Sequence, residues 1–321
     1  MSLALAVLIT VAGLYVGGNI GANDAANCIG PAVGARLIRY RMAVVMVAMF
    51  VILGALLQGG NVMRTVGKGI VTEPIPPLGV LSALFCGGLF VSLATFFKVP
   101  VSTSQSIVGA VAGVGLASGL NVNFDKIITI AECWVLCPLL TMVLTYLIYK
   151  FTRWIVRRFH LGYRADRMLS ALVVITAAYA AYSLGANNLG NAIGPVVSLG
   201  ENPIDVRYLV VLGAASIAFG ALVFGRRVAE TVGKNITTLD LHSAFAVQIS
   251  AAFGLHLFSM LGIPVSTSQA IVGGLLGVGL VHGIKTVSRR RISEVLIGWV
   301  AVPALSGLVT YLLFGLISSL A

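Results

Sequence analysis

Ten apolar stretches, separated by short polar segments, make up most of the chain. Many of them contain 17 or more consecutive residues without Asp, Glu, Lys or Arg, and a helix that crosses a membrane needs about 20 apolar residues. The pattern therefore predicts an all-α polytopic membrane protein. The stretches are residues 3–34, 42–60, 78–97, 101–120, 127–149, 168–198, 208–225, 241–262, 264–283 and 292–320.

The composition agrees with this pattern. Of the 321 residues, 58% are apolar and only 10% are charged, and the mean hydropathy is +1.01. Soluble domains carry about 25% charged residues, so a soluble protein is excluded. Ten crossings leave room for loops but not for a separate soluble domain. The four cysteines lie in or beside apolar stretches, where we interpret them as packing residues.

Basic residues produce a formal net charge of +11 and gather between the apolar stretches. In a soluble protein this charge would suggest nucleic acid, but here it is placed to orient helices in a membrane. If every stretch crosses, the connections after stretches 1, 3, 5, 7 and 9 carry 17 basic residues, and the opposite side carries 4. The positive-inside rule makes the first side cytoplasmic and puts both termini outside the cell membrane.

A repeat with an offset of about 164 residues organises the chain. GANDAANCIGP at 21–31 returns as GANNLGNAIGP at 185–195, and VPVSTSQ at 99–105 returns as IPVSTSQ at 263–269. Two weaker matches fall in the same order: TVGK at 65–68 with 231–234, and Trp134 plus Pro138 with Trp299 plus Pro303. Four collinear matches make chance a poor explanation.

Each half of the chain contains five apolar stretches. We therefore divide it into a first repeat at residues 1–150, a basic cytoplasmic linker at 151–167 and a second repeat at 168–321. Because five is odd, the second repeat would be inverted in the membrane, as in many secondary transporters. Stretches three and four of each half could instead form a re-entrant hairpin, which leaves three crossings and preserves the inversion. The sequence does not distinguish these two arrangements.

The run Pro-Val-Ser-Thr-Ser-Gln predicts a helix start in each half, because proline ends the preceding helix and Ser102 or Ser266 can cap the next. Unpaired backbone N–H groups, the helix dipole and the hydroxyls favour an anion there. Two such starts converging from opposite repeats would suit tetrahedral phosphate. Alternatively, these residues only cap or pack helices in lipid. The candidate phosphate-binding residues are Ser102, Thr103, Ser104, Gln105, Ser266, Thr267, Ser268 and Gln269.

The Gly-Ala-Asn motif interrupts a long apolar stretch, and broken helices at membrane depth usually line a site. Asp24 is the sole acidic residue of the first broken stretch, and a charge at the bilayer centre costs at least about 2.5 kcal/mol unless it is paired. A bound cation would pair it, although a helix cap or a basic side chain could also do so. The candidate sodium ligands are Asn23, Asp24, Asn27, Asn187, Asn188 and Asn191.

These duplicated motifs resemble the inorganic phosphate transporter (PiT) family of cation-coupled phosphate symporters. The signature of that family is a Gly-Ala-Asn-Asp-x-x-Asn element and a Pro-Val-Ser motif in each repeat, and the resemblance covers nearly the whole chain. It implies phosphate as substrate, inverted repeats, extracellular termini and a homodimer. One departure is Asn188, where many relatives carry Asp, so the two cation sites cannot be assumed equivalent.

The coupling ion is harder to predict than the substrate. Proton coupling needs a titratable relay, and within the motif stretches only Asp24 titrates. Glu132 and Glu294 lie near the starts of stretches five and ten, and His242 and His256 have no repeat counterpart. A site rich in oxygen and poor in titratable groups favours sodium.

We therefore predict a symporter that imports inorganic phosphate with sodium ions by alternating access. We expect no cofactor and no enzymatic activity, because the common nucleotide-binding and hydrolase motifs do not occur in the sequence. Three alternatives stay open. They are proton-coupled transport of phosphate or a metal-phosphate complex, transport of sulfate or another oxyanion, and an anion channel or membrane-embedded phosphotransfer enzyme.

Overall fold

The computed structural model describes residues 2–96, 101–199, 204–236, 240–282 and 289–320, without the side chains of 227–236, 282 and 289–296. Two π-helical turns, Gly21–Ala25 and Thr65–Gly69, interrupt the helical run. The α-helices of the described residues are α1 (Leu3–Ile20), α2 (Ala26–Gly34), α3 (Tyr40–Gln58), α4 (Gly60–Arg64), α5 (Pro77–Phe96), α6 (Thr103–Ala117), α7 (Phe124–Arg158), α8 (Tyr163–Val197), α9 (Val206–Ile236), α10 (Leu241–Met260), α11 (Thr267–His282) and α12 (Arg289–Leu320).

Eight helical segments within these ranges are long and apolar enough to cross a membrane. The prediction of an all-α polytopic membrane protein is confirmed. The helices α6 and α11 are shorter than the others of this apolar set. The 15 residues of α6 extend only about 22 Å at about 1.5 Å per residue, less than the hydrocarbon core of about 30 Å.

Helices α5 and α6 form a hairpin whose two outer ends lie side by side. Val71 before α5 and Val122 after α6 form an antiparallel bridge, and the Thr72 amide donates to the Asn121 carbonyl at 3.3 Å. At the other end of α6, close to the hairpin tip, Ser102 is 2% exposed. Paired outer ends, the buried start of α6 and the short length of α6 favour a re-entrant hairpin over two full crossings.

Helices α10 and α11 form the corresponding hairpin, which approaches from the other end of α7. At the start of α7, the Asn123 amide donates to the Ile70 carbonyl at 2.9 Å, beside the outer ends of the first hairpin. Near the end of α7, Tyr149 donates to Asp240, the cap of α10, at 3.4 Å and shares a pocket with Val281 of α11. The two hairpins therefore reach the interior from opposite ends of one long helix.

The glycine that opens each Gly-Ala-Asn motif is not free to vary, because it touches the backbone of the other half. A Cβ on Gly21 would lie 1.9 Å from the carbonyl oxygen of Ile217 on α9. A Cβ on Gly185 would lie 2.1 Å from the carbonyl oxygen of Val51 on α3. In the same way, α6 of the first half packs on α12 of the second half, and α11 of the second half packs on α7 of the first half. These contacts join the two halves into one packed unit.

The two copies of the Gly-Ala-Asn motif, and those of the Thr-Val-Gly-Lys motif, differ in backbone conformation. Gly21–Ala25 is a π-helical turn, whereas the counterpart at 185–189 continues α8 as regular α-helix. Thr65–Gly69 is also π-helical, while the second TVGK copy at 231–234 lies within α9. Single π-helical turns are frequent at functional sites. The first half therefore differs from the second at both motifs.

Gly109 and Gly273 are equivalent residues at crossings between a short helix and a long one. A Cβ on Gly109 would lie 2.2 Å from the carbonyl oxygen of Pro303 on α12, and a Cβ on Gly273 would lie 2.2 Å from that of Pro138 on α7. Real Cβ atoms do not approach backbone this closely, so a larger residue must push the helices apart.

We predict that Gly109→Ala lowers the free energy of unfolding by about 1–3 kcal/mol, the usual cost of overpacking a filled interior. Gly315→Ala in α12 is the matched control, because a Cβ there meets no atom within 4 Å and alanine favours helix. Thermal unfolding of both purified variants in one detergent measures the difference. Equal melting temperatures would contradict the close helix contact.

Candidate functional site

The duplicated motifs meet in one buried cluster. The first π-helical turn and α2 supply the first asparagine-rich motif, α8 supplies the second, and the N-terminal turns of α6 and α11 supply the Ser-Thr-Ser-Gln runs. Hydrogen bonds connect side chains from all of these segments. The residues predicted to bind phosphate and those predicted to bind sodium are therefore in direct contact.

Asp24 is the buried charge of this cluster, with 2% of its surface exposed. Its Oδ2 accepts hydrogen bonds from Thr103 Oγ1 at 3.1 Å and Asn188 Nδ2 at 3.2 Å, and Ser268 Oγ donates to Oδ1 at 3.5 Å. All three partners are neutral. No Lys, Arg or His is among the buried polar residues of the described side chains, so none of these side chains provides a buried cation to neutralise this carboxylate.

Asp24 and Asn188 occupy equivalent positions in the two repeats, and they contact each other directly. Asn188 Nδ2 also donates to Thr267 Oγ1 at 3.0 Å, just as Asp24 is bonded to Thr103, the equivalent threonine of its own half. The two halves of the centre thus share one geometry, but one half carries a charge and the other is neutral.

A second pair of equivalent contacts crosses between the halves. Asn27 Nδ2 donates to Ser268 Oγ at 3.2 Å, and Asn191 Nδ2 donates to Ser104 Oγ at 2.8 Å. Ser104 also donates to the Val265 carbonyl at 2.9 Å. Ser104 is 1% exposed, whereas Ser268 is half-buried. The Asn27–Ser268 side of the cluster is therefore the more open to solvent.

Ser102 and Ser266 bond to the backbone of the helices that they precede. Their hydroxyl groups accept from the N–H groups of Gln105 at 3.3 Å and Gln269 at 3.2 Å, which is the geometry of an N-cap. The other N–H groups of these first turns, with the positive ends of both helix dipoles, lie next to the cluster. Both helix starts therefore favour negative charge at this place.

Gln105 and Gln269 have buried side chains without partners. They are 1% and 0% exposed, and neither their amide oxygens nor their amide nitrogens form a hydrogen bond within the described protein. The Oδ1 atoms of Asn188 and Asn191 also lack partners. An unsatisfied buried polar group costs about 1–3 kcal/mol. Six such atoms in one cluster favour a ligand that both donates and accepts hydrogen bonds.

Asn187, a predicted sodium ligand, is hydrogen-bonded to the tip of the second hairpin. Its Nδ2 donates to Ser259 Oγ at 3.0 Å and to the Ile263 carbonyl at 3.3 Å, and its Oδ1 accepts from the Val265 amide at 3.2 Å. These bonds occupy both ends of its amide. The equivalent Asn23 is 9% exposed and forms no side-chain hydrogen bond with the described residues.

Ser259 and Trp134 are site residues that the sequence analysis did not assign. Trp134 Nε1 donates to the Pro264 carbonyl at the tip of the second hairpin, at 2.9 Å. Ser259 has a hydroxyl counterpart 164 residues earlier in Thr95, and each donates to a carbonyl four residues before it. The signal in the sequence that could have identified Ser259 is that both repeats carry a hydroxyl residue at this position.

The candidates for a proton relay do not join the cluster by any described contact. Glu132 is exposed on α7, and the hydrogen bonds of His242 and His256 go to other residues. The side chain of Glu294 lies outside the described residues. Among the side chains that are described, Asp24 is the acidic group of the cluster.

We predict that Asn187→Ala lowers the free energy of unfolding by about 2–4 kcal/mol, because three hydrogen bonds at about 0.5–1.5 kcal/mol each are lost and buried partners are left unpaired. The repeat-equivalent variant Asn23→Ala is the matched control and should cost less than about 1 kcal/mol. Thermal unfolding in detergent compares them. If both variants lose the same stability, the hairpin contact is not what Asn187 contributes.

Comparisons with known proteins agree with this arrangement. A protein family described as "Phosphate transporter family" matches residues 20–310. "The sodium-dependent phosphate transporter", a solved structure, superimposes with a TM-score of 0.86 at 27% identity, and the match covers 98% of this chain and 100% of that chain.

Curated relatives match over nearly the whole length. The "Putative phosphate permease" of Pyrococcus furiosus is 31% identical over 96% of this chain and 95% of its own. That of Methanocaldococcus jannaschii is 31% identical over 98% and 97%. The "Sulfate permease CysP" of Bacillus subtilis is 32% identical over 94% and 85%. By its sequence match and its fold, this chain belongs to the phosphate transporter family.

Proposed function

We propose that this protein imports inorganic phosphate together with sodium ions across the cell membrane by alternating access. The observation that carries the proposal is the buried Asp24, which lies where α6 and α11 begin and has no basic partner among the described side chains. An oxyanion bound there adds negative charge next to a carboxylate. Burial of that charge in a low-dielectric site requires cations to bind with it, so cation coupling follows from the electrostatics.

Phosphate fits the hydrogen-bonding groups that lack partners. The amide nitrogens of Gln105 and Gln269 and the N–H groups of both helix starts can donate to its oxygens. At neutral pH every inorganic phosphate ion carries one or two protons, and each of its hydroxyl groups needs a hydrogen-bond acceptor. The unpaired Oδ1 atoms of Asn188 and Asn191 are available as acceptors.

Sulfate is the second candidate, because a relative that is 32% identical is named a sulfate permease. Sulfate and phosphate share a tetrahedral shape and their oxygen acceptors. Sulfate carries no proton at neutral pH, however, so it offers no donor to the buried amide oxygens. This difference supports phosphate as the preferred substrate.

Sodium fits the oxygen atoms on the open side of the cluster. The carboxylate of Asp24 and amide oxygens are ligands suited to a hard cation. Pro31 and Pro195 lie four residues after Asn27 and Asn191, so both asparagine carbonyls lack the usual helical donor. These carbonyls add two further candidate oxygens. The solved structural neighbour is titled a sodium-dependent transporter, which supports sodium over protons.

The membrane potential sets a lower limit on the number of sodium ions. Moving a phosphate dianion inward against about 100 mV costs on the order of 4.6 kcal/mol, at about 2.3 kcal/mol per charge. Two sodium ions cancel this cost, and a third lets the potential drive uptake. We therefore propose at least two sodium ions per dianion, bound and released with phosphate, and no resident cofactor.

Alternating access is supported by the unequal state of the two repeats. The first copies of the Gly-Ala-Asn and Thr-Val-Gly-Lys motifs are π-helical and their second copies are α-helical, and Ser268 is more exposed than the equivalent Ser104. In repeats related by pseudo-symmetry, exchange of the two conformations would close one side of the site and open the other. We propose that this exchange moves phosphate across the membrane.

The inverted arrangement of residues 1–150 and 168–321 about the basic linker at 151–167 is part of the proposal. It is supported by the two hairpins, whose outer ends lie at opposite ends of α7. The basic connections put the Asn27–Ser268 side toward the cytoplasm and the termini outside. A homodimer is also proposed, with an interface that does not use Gly109 or Gly273, because these glycines contact α12 and α7.

The direct test of the proposed function is uptake of labelled phosphate into liposomes that contain the purified protein. We expect accumulation with an inward sodium gradient and none with choline at matched pH. Excess sulfate should compete weakly. Uptake that follows a proton gradient without sodium, or uptake of sulfate in preference to phosphate, would favour the alternative transporters instead.

We predict that Asp24→Asn raises the half-saturating sodium concentration about tenfold or more, since the loss of one ion pair worth about 1.4 kcal/mol changes affinity tenfold. Glu132→Gln removes an exposed carboxylate from α7 and serves as the matched control. Sodium activation of phosphate uptake is measured for both. Unchanged activation in Asp24→Asn would remove this residue from the sodium site.

We predict that Ser268→Cys reacts faster than Ser104→Cys with a membrane-impermeant thiol reagent applied from the cytoplasmic side. The four native cysteines are first replaced by alanine. The reason for the difference is that Ser268 is half-buried whereas its counterpart is 1% exposed. Equal rates, or faster reaction of Ser104→Cys from that side, would contradict the proposed open side.

A further inference from the structure

A basic pocket lies near the C-terminal end of α7, and none of the residues that line it belongs to the cluster around Asp24. Its cavity volume is about 640 Å³. The residues that line it are Tyr149, Lys150, Arg153, Trp154, Arg157, Arg158 and Val281. Four of these seven side chains are cationic, so the pocket is suited to an anion.

The basic residues share one face of α7. Lys150, Arg153, Trp154, Arg157 and Arg158 stand at positions i, i+3, i+4, i+7 and i+8, which coincide on one side of a helix. Orientation of a helix in the membrane depends on the number of basic residues in a connection rather than on their position around the helix. Membrane orientation alone therefore does not explain why these basic residues lie on one face of the helix.

Arg153 is held in the pocket wall by a chain of hydrogen bonds. Its guanidinium donates to Tyr149 Oη at 2.9 Å, and Tyr149 donates to Asp240 Oδ2 at 3.4 Å. Asp240 is also the N-cap of α10. Arg157 and Arg158 are exposed, and their guanidinium groups form no hydrogen bond or ion pair with the described residues. Two guanidinium groups beside a held third one are thus available to a ligand.

Neighbouring side chains place the pocket at the boundary between lipid and water. Trp154 and Phe151 are 56% and 58% exposed, and their rings stack with centroids 6.1 Å apart. Tryptophan is enriched at the headgroup level of membranes. One and two turns earlier, α7 exposes Leu147 and Val143, which are suited to acyl chains. A ligand in the pocket would therefore have an anionic group above and an apolar part below.

The pocket is confined to one half of the pseudo-symmetric protein. Lys150 and Arg153 on α7 lie 16 and 19 residues after Trp134, and the corresponding positions after Trp299 on α12 are Gly315 and Ser318. A feature of the transport path would be expected in both repeats. Lys150 and Arg153 have no basic counterpart in the second repeat, which separates the pocket from the substrate site.

We propose that this pocket binds the headgroup phosphate of an anionic phospholipid. Arginine pairs with phosphate oxygens through two parallel hydrogen bonds, and basic pockets between transmembrane helices recognise such headgroups. Free inorganic phosphate shares this chemistry but has no use for the exposed apolar surface below the arginines. The proposal is independent of which ion the protein transports, because it concerns lipid binding rather than uptake.

The test compares phosphatidylglycerol and phosphatidylcholine retained by the purified protein in native mass spectrometry. Wild-type protein should retain phosphatidylglycerol in preference. The variant Arg153→Gln/Arg157→Gln/Arg158→Gln should bind it about 100-fold more weakly, at roughly 1 kcal/mol per basic residue near an anionic surface. If the triple variant does not fold, the exposed pair Arg157→Gln/Arg158→Gln replaces it, with an expected loss of about 30-fold.

The matched control Arg39→Gln/Arg41→Gln/Arg164→Gln removes the same charge from exposed residues that do not line the pocket, and it should keep the preference. Equal losses in the two triple variants would reduce the effect to general surface charge and overturn the proposal. No loss in either variant would also overturn it. Displacement of phosphatidylglycerol by millimolar inorganic phosphate would mean that the pocket holds a soluble anion instead.

Discussion

The rest of the structure depends on the burial of one carboxylate, Asp24, with no buried Lys, Arg or His among the described side chains. Neutral donors from three other segments, Thr103, Asn188 and Ser268, satisfy part of its hydrogen-bonding capacity. They do not cancel its charge, and a charge that is buried without a counter-ion is costly. The starts of α6 and α11 therefore meet at the Asp24 carboxylate, whose negative charge a bound ion must balance.

Duplication provides the geometry of this centre, and departures from symmetry provide its direction. Asp24 faces its own counterpart Asn188, and the Asn27–Ser268 contact repeats as Asn191–Ser104. The copies are nevertheless unequal in charge, in exposure and in backbone, since the Gly-Ala-Asn motif forms a π-helical turn in its first copy and regular α-helix in its second. Two similar halves in different states are what an alternating mechanism requires.

Close backbone contacts allow these halves to act as one body. Gly21 and Gly185 bring each motif against a helix of the opposite half, and Gly109 and Gly273 bring each short helix against α12 or α7. Each short helix is therefore packed tightly against a long helix of the opposite half. The basic pocket on α7 lies outside this symmetric frame, on one side only.

The sequence by itself determined the helical membrane architecture, the duplication and the set of residues that cluster, because hydrophobic length and short motifs are local properties of the chain. Only the tertiary structure decided which contacts each of those residues makes. Adjacent asparagines diverge, since Asn187 holds a hairpin tip while Asn188 bonds to Asp24. The side-chain amides of Gln105 and Gln269 have no hydrogen-bond partner among the described residues. These outcomes depend on contacts between residues 70 to more than 200 positions apart, as between Asn27 and Ser268, separated by 241, and only packing of the whole chain specifies which atoms meet.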